Sequence, residues 1–151
     1  MNYDKIVFVC TGNTCRSPMA EAIYRGMAID GRMEVCSRGL VVLFPEPSNQ
    51  KAEMVVENHN LSLDNHVATP LSIEDMQGNV LILCMTFAQK LKIAEEYGIT
   101  ENLFTIKEFV GEDGDVINPY GGNVLDYEEC FSELSKLIKK SIIKLNEEAK
   151  E

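Results

Sequence analysis

The sequence predicts a single α/β domain on a four-stranded parallel sheet flanked by helices, and three observations carry that expectation. Short, nearly continuous apolar runs alternate with stretches of helical periodicity along the chain. The clearest runs, KIVFVC and NVLILCM, lack polar alternation, as strands covered on both faces do. The chain, residues 1–151, is long enough to bury one core and shows no repeat, linker or low-complexity tract.

The elements follow in order. Lys5 to Cys10 is the first strand. Ser17 and Pro18 suit the first turn of a helix, which MAEAIYRGMAI continues with Met19, Ala22, Ile23 and Met27 at helical spacing until Gly31 breaks it. Met33 to Ser37 reads as a second strand. Pro45 and Pro47 mark a turn, and Ser48 starts a helix with Ala52, Val55 and Val56 inward. Asn79 to Met85 is the third strand, and Phe87 to Tyr97 is a helix stopped by Gly98. Leu103 to Val110 reads as a fourth strand. Gly111 to Gly122, rich in Gly and Asp, is a long loop of the kind that often carries function. Asp126 caps a last helix whose Phe131, Leu134, Ile138, Ile142 and Leu145 form one stripe, and whose tail NEEAKE frays.

Composition narrows the function. A formal net charge of -10 argues against a nucleic-acid partner, since phosphate backbones are held by excess Lys and Arg. No apolar run reaches membrane-spanning length, and the N-terminus lacks the features of a signal peptide, so a cytoplasmic location is expected. Five scattered cysteines and no CxxC pair predict neither a disulfide framework nor a structural zinc site, and no cofactor is implied.

The loop Cys10 to Arg16 then stands out. It follows a buried strand and precedes a helix, where ligands of open α/β sheets bind. Gly12 and Asn13 let the backbone curl so that the N–H groups of the segment from Thr11 through Thr14 and Cys15 to Ser17 face a bound phosphate or other oxyanion. The helix start adds positive field, and Arg16 offers a planar fork for two phosphoryl oxygens. The same field favours the thiolate of Cys10, to which Ser17 donates a hydrogen bond. A thiolate beneath a phosphate is a nucleophile aimed at phosphorus, and the chemistry needs no metal.

CTGNTCRSPMAEAI closely resembles the active-site loop of the low-molecular-weight protein tyrosine phosphatases, and the likeness continues through ATPLSIEDMQGNVLILCMT to NPYGG and the last helix. The resemblance implies a four-stranded parallel sheet, a phosphorylated protein as substrate, a nucleophile at Cys10 and a phosphate clamp at Arg16. It also implies that Asn13 and Ser17 order the loop and its thiolate, and that Cys15 can trap the oxidised nucleophile as a disulfide. Thr11, together with FTIKEFVGEDGDVINPYGG, resembles the protein arginine phosphatase branch, whereas typical tyrosine phosphatases carry a bulkier aliphatic residue there. Phosphoarginine is therefore favoured over phosphotyrosine. Tyr120 and Leu40 are expected as walls of the substrate cleft.

One position departs from the pattern. Where the family has an Asp-Pro pair whose carboxyl protonates the leaving group and then activates water, this chain has Asn118-Pro119. An amide serves neither step, and losing such a group costs about 10²- to 10⁴-fold in rate. Three readings stay open: a slow enzyme or phosphoprotein-binding pseudo-enzyme, an introduced change, or substitution by Asp113 or Asp115, which the separation across Val116-Ile117 disfavours. Cys36, Cys84 and Cys130 read as core thiols, so a redox-coupled arsenate reductase, which needs two further neighbouring cysteines, is not supported. His59 and His66 read as surface or packing residues away from the strands' carboxyl ends.

Overall fold

In the computed structural model of the chain, residues 3–28, 31 and 33–149 are described. Ile29 at the end of the predicted first helix, and Lys150 and Glu151 of the tail, lie outside them. Strands β1 (Lys5–Cys10), β2 (Glu34–Gly39), β3 (Val80–Cys84) and β4 (Leu103–Thr105) form one parallel sheet in the order β2-β1-β3-β4. Alternate residues of β1 feed the two cores. Ile6 and Phe8 pack with α1 (Arg16–Met27), α2 (Gln50–Asn58), α4 (Ile106–Phe109) and α5 (Val124–Ala149). Val7 and Val9 pack on the opposite side with Met76 of the 3₁₀ helix Ile73–Met76 and Ile93 of α3 (Phe87–Tyr97). β1 thus turns into a helix on one face and β3 into a helix on the other, which opens a crevice between their carboxyl ends.

Four expectations need correction, each for a local reason. The predicted fourth strand stops at Thr105, because the Thr105 hydroxyl accepts the Glu108 N–H and the Glu108 carboxylate accepts the Thr105 N–H, a reciprocal cap that starts α4. The helix assigned to Ser48 is capped by Asn49, whose side chain accepts from Lys51 N, while Ser48 is buried and donates to Glu53. Asn123, not Asp126, heads α5: its Oδ1 accepts the Asp126 N–H at 3.0 Å and Asp126 accepts the Asn123 N–H at 2.9 Å. The tail stays helical to Ala149, held by buried Leu145 and by Lys144, whose ammonium lies 4.2 Å from the Phe109 ring centroid.

Candidate active site

The loop between β1 and α1 closes around the Cys10 thiol. Cys10 is buried, its sulfur lies 2.9 Å from Ser17 Oγ, and it accepts the Asn13 N–H at 3.2 Å. The curl is made by Asn13, at φ 59°, the left-handed conformation that asparagine tolerates. Gly12 does not share it, which narrows the expectation that both residues turn the chain. Asn13 is fully buried and fully partnered. Its Nδ2 donates to Ser17 Oγ (2.8 Å) and Ser37 Oγ (3.0 Å), and its Oδ1 accepts the Thr69 N–H (2.9 Å). Asn13 donates to Ser17, so the serine hydrogen is directed to the cysteine sulfur at 2.9 Å or to Arg38 O at 3.4 Å, and a Cys10 thiolate would accept from both Ser17 and the Asn13 N–H.

The rest of the loop is stitched to the carboxyl end of the sheet. Leu40 N donates to Cys10 O, Val41 N to Thr11 O, and Asn49 N to Thr14 O. Gly39 at the end of β2 is required by close approach, since a Cβ there would lie 2.9 Å from Thr11 O and 3.0 Å from the Asn13 Cβ. Arg16 is buried in the first turn of α1, and its Nη1 donates to Val116 O at 2.9 Å. That bond leaves its remaining N–H groups to grip an oxyanion. Cys15 is buried beside Tyr127, with its sulfur 3.7 Å from the phenol oxygen, and burial raises its thiol above the ordinary range. Deep burial likewise pushes Cys84 and Cys130 up to about 12, as core thiols behave.

The loop bearing Asn118 is anchored at Val116, whose N–H donates to Met85 O and whose carbonyl receives Arg16. Beyond it Ile117, Asn118 and Tyr120 are exposed, while Pro119 is buried. Asn118 Oδ1 accepts the Tyr120 N–H at 3.1 Å, a turn closed within the loop itself. Asp115 Oδ1 accepts the Phe87 N–H at 2.9 Å, at the start of α3. Tyr120, 74% exposed, lines a groove with Asn118, Cys130, Glu129 and Glu133. Leu40 is half-buried and packs against the core, while Val41, Leu43 and Phe44, 47%, 87% and 62% exposed, are open apolar side chains of that segment.

Two site neighbours were missed from sequence. His66 Nε2 donates to Asn13 O at 2.7 Å, so the ring that read as a distant packing residue supports the phosphate loop from outside. Gln89 reaches the loop from α3 and donates to Thr11 Oγ1 at 3.1 Å. Both contacts join positions far apart in the chain and carry no local signal. Among the described residues, no helix is long and apolar enough to cross a membrane.

The low molecular weight phosphotyrosine protein phosphatase family model matches residues 5–151. The chain is 40% identical over 139 residues to a protein-arginine-phosphatase of Bacillus subtilis, covering 89% of this chain and 91% of that protein. It is 38% identical over 136 residues to the low molecular weight protein-tyrosine-phosphatase PtpB of Staphylococcus haemolyticus, covering 90% and 96%. A solved structure of the YwlE arginine phosphatase, a cysteine-to-serine variant with a phosphorylated active-site serine, superposes with a TM-score of 0.87 at 36% identity over 94% of this chain and 95% of that one. The chain belongs to the low molecular weight phosphotyrosine protein phosphatase family, and is a cysteine-dependent protein phosphatase.

Proposed function

We propose that this chain dephosphorylates phosphoarginine in proteins through a phosphocysteine on Cys10, with turnover slowed by Asn118. The observation that carries the reading is the Cys10 sulfur, held by Ser17 and the Asn13 N–H at the base of a loop whose Arg16 is already oriented by Val116. The thiolate attacks phosphorus, the S–P bond forms, and the P–N bond breaks with its electron pair going to nitrogen. Loop N–H groups and Arg16 hold the phosphoryl oxygens throughout. Water then attacks the phosphocysteine, releasing phosphate and restoring the thiolate.

Asn118 bears differently on the two candidate substrates. A phosphoguanidinium departs as a neutral guanidine, which takes its proton from water afterwards. A phosphotyrosine departs as a phenolate anion and gains more from a general acid. An amide at position 118 therefore handicaps phosphotyrosine in both steps and phosphoarginine chiefly in the second. Thr11 and the similarity to the Bacillus subtilis protein-arginine-phosphatase favour the same choice. The similarity to PtpB favours phosphotyrosine as the second reading.

The test is the steady-state rate of this chain and of Asn118→Asp on phosphoarginine and phosphotyrosine peptides. The unsubstituted chain is expected to prefer phosphoarginine and to accumulate one phosphoryl group on Cys10, seen by mass spectrometry after rapid denaturation. The Asp variant is expected to gain about 10²- to 10⁴-fold on phosphotyrosine and less on phosphoarginine. Equal rates for the two proteins on both peptides would refute the role given to position 118. Substrate held intact, with Cys10 unmodified, would make the chain a binder of phosphoproteins instead.

A further inference from the structure

Gln89 faces Thr11 across the crevice between β1 and β3, from the first turn of α3. The side chain is buried, and its hydrogen bonds settle which end of the amide lies where. Oε1 accepts the backbone N–H groups of Met85 (2.9 Å) and Thr86 (3.0 Å). The reversed amide would set an NH₂ group against two donors, so Nε2 is the atom that reaches Thr11 Oγ1 at 3.1 Å.

The consequence falls on Thr11. Gln89 has no acceptor left for the hydroxyl, so the threonine oxygen receives one hydrogen bond and its own hydrogen points elsewhere. Oγ1 is tied toward α3, which selects one rotamer of a β-branched side chain. What the exposed Thr11 then offers a substrate is one hydrogen and one lone pair, at a fixed position next to Cys10. A phosphoguanidine has the complement of both: acceptor oxygens on phosphorus and N–H donors on the adjoining nitrogens. An aryl phosphate has the oxygens but no N–H.

We propose that Gln89 is a positioning residue that holds the Thr11 hydroxyl in the sense and rotamer suited to phosphoguanidines over aryl phosphates. The inference rests on the phosphoarginine reading above. Gln89 also caps the amino end of α3, so the test needs a readout that loss of the cap alone would not move.

That readout is the ratio of kcat/KM on phosphoarginine and phosphotyrosine peptides, measured for the full chain, Gln89→Met, Thr11→Val and the double variant. Gln89→Met is expected to lower phosphoarginine kcat/KM by about tenfold, the worth of one charge-assisted hydrogen bond, and phosphotyrosine by no more than about threefold. In the Thr11→Val background the same change should leave the ratio where Thr11→Val alone puts it. An equal fall on both peptides, or a selective fall that persists without the Thr11 hydroxyl, overturns the proposal.

If Gln89→Met fails to fold, Gln89→Glu keeps an oxygen for the Met85 and Thr86 N–H groups while taking the Thr11 hydrogen. Its loss on phosphoarginine should then appear with Thr11 present and vanish in Thr11→Val. The same loss in both backgrounds would be the added charge acting directly on the phosphoryl group, and overturns the proposal. A chain that prefers phosphotyrosine from the outset refutes the phosphoarginine reading and this inference together. A retained phosphoarginine preference without coupling between Gln89 and Thr11 refutes this inference alone.

Discussion

The two loops that meet at Arg16 are built to opposite standards. In the loop after β1, Asn13 commits its N–H, its carbonyl and every side-chain donor and acceptor to named partners, and it is fully buried. In the loop of residues 111–122, Val116 is tied down at both ends, but Ile117, Asn118 and Tyr120 stand exposed. The first loop stabilises charge, which requires dipoles already in place before the reaction. The second carries Asn118, to which the proposal gives the proton-transfer position, a task that needs one group at one place and tolerates looser support. The difference locates where substitution is cheap and where it is not.

That contrast can be broken most severely at Arg16. Arg16→Lys keeps the charge but loses the planar fork and the geometry of the bond to Val116. It is expected to lower kcat/KM by about 10²- to 10³-fold and to weaken binding of vanadate or inorganic phosphate, read by competition kinetics. Unchanged oxyanion binding would mean the clamp lies elsewhere.

Asn13→Ala tests the ordered loop itself. The alanine leaves Ser37 and the Thr69 N–H without their partner and sits at φ 59°, where a Cβ is strained. A stability loss of about 1–3 kcal/mol is expected from urea denaturation, together with reduced turnover. A variant as stable as the parent would show that the network is dispensable. Asn123→Ala sharpens the other side of the comparison, just past the exposed loop. Losing its cap on α5 should cost about 1 kcal/mol by thermal or urea melting while leaving kcat/KM unchanged, because the Asn123 side chain bonds the Asp126 backbone at the helix start and not Cys10, Arg16 or Asn118.

How much of this was legible in the sequence depends on how far each cause reaches along the chain. The strand before Cys10, the turn at Asn13 and the helix after Arg16 are local, and their residue types announce them. The short fourth strand was also signalled, by Thr105-Ile-Lys-Glu108, but the apolar pattern of LFTIKEFV outweighed a capping pair that needs only two residues. The start of α5 was misplaced by three residues for a similar reason, since Asn123 and Asp126 cap each other and either can be read as first. His66 and Gln89 were invisible because their partners are 53 and 78 positions away. The anchor on Arg16 had no signal at all, for it is a backbone carbonyl that any residue at position 116 would supply.

That last feature makes the site modular. A guanidinium oriented by a main-chain oxygen does not depend on which side chains the neighbouring loop carries. Position 118 can therefore drift between a carboxylate and an amide without disturbing the grip on the phosphoryl group. On the proposed chemistry, one base change in a codon turns rapid release of the phosphoryl group into its prolonged retention on Cys10.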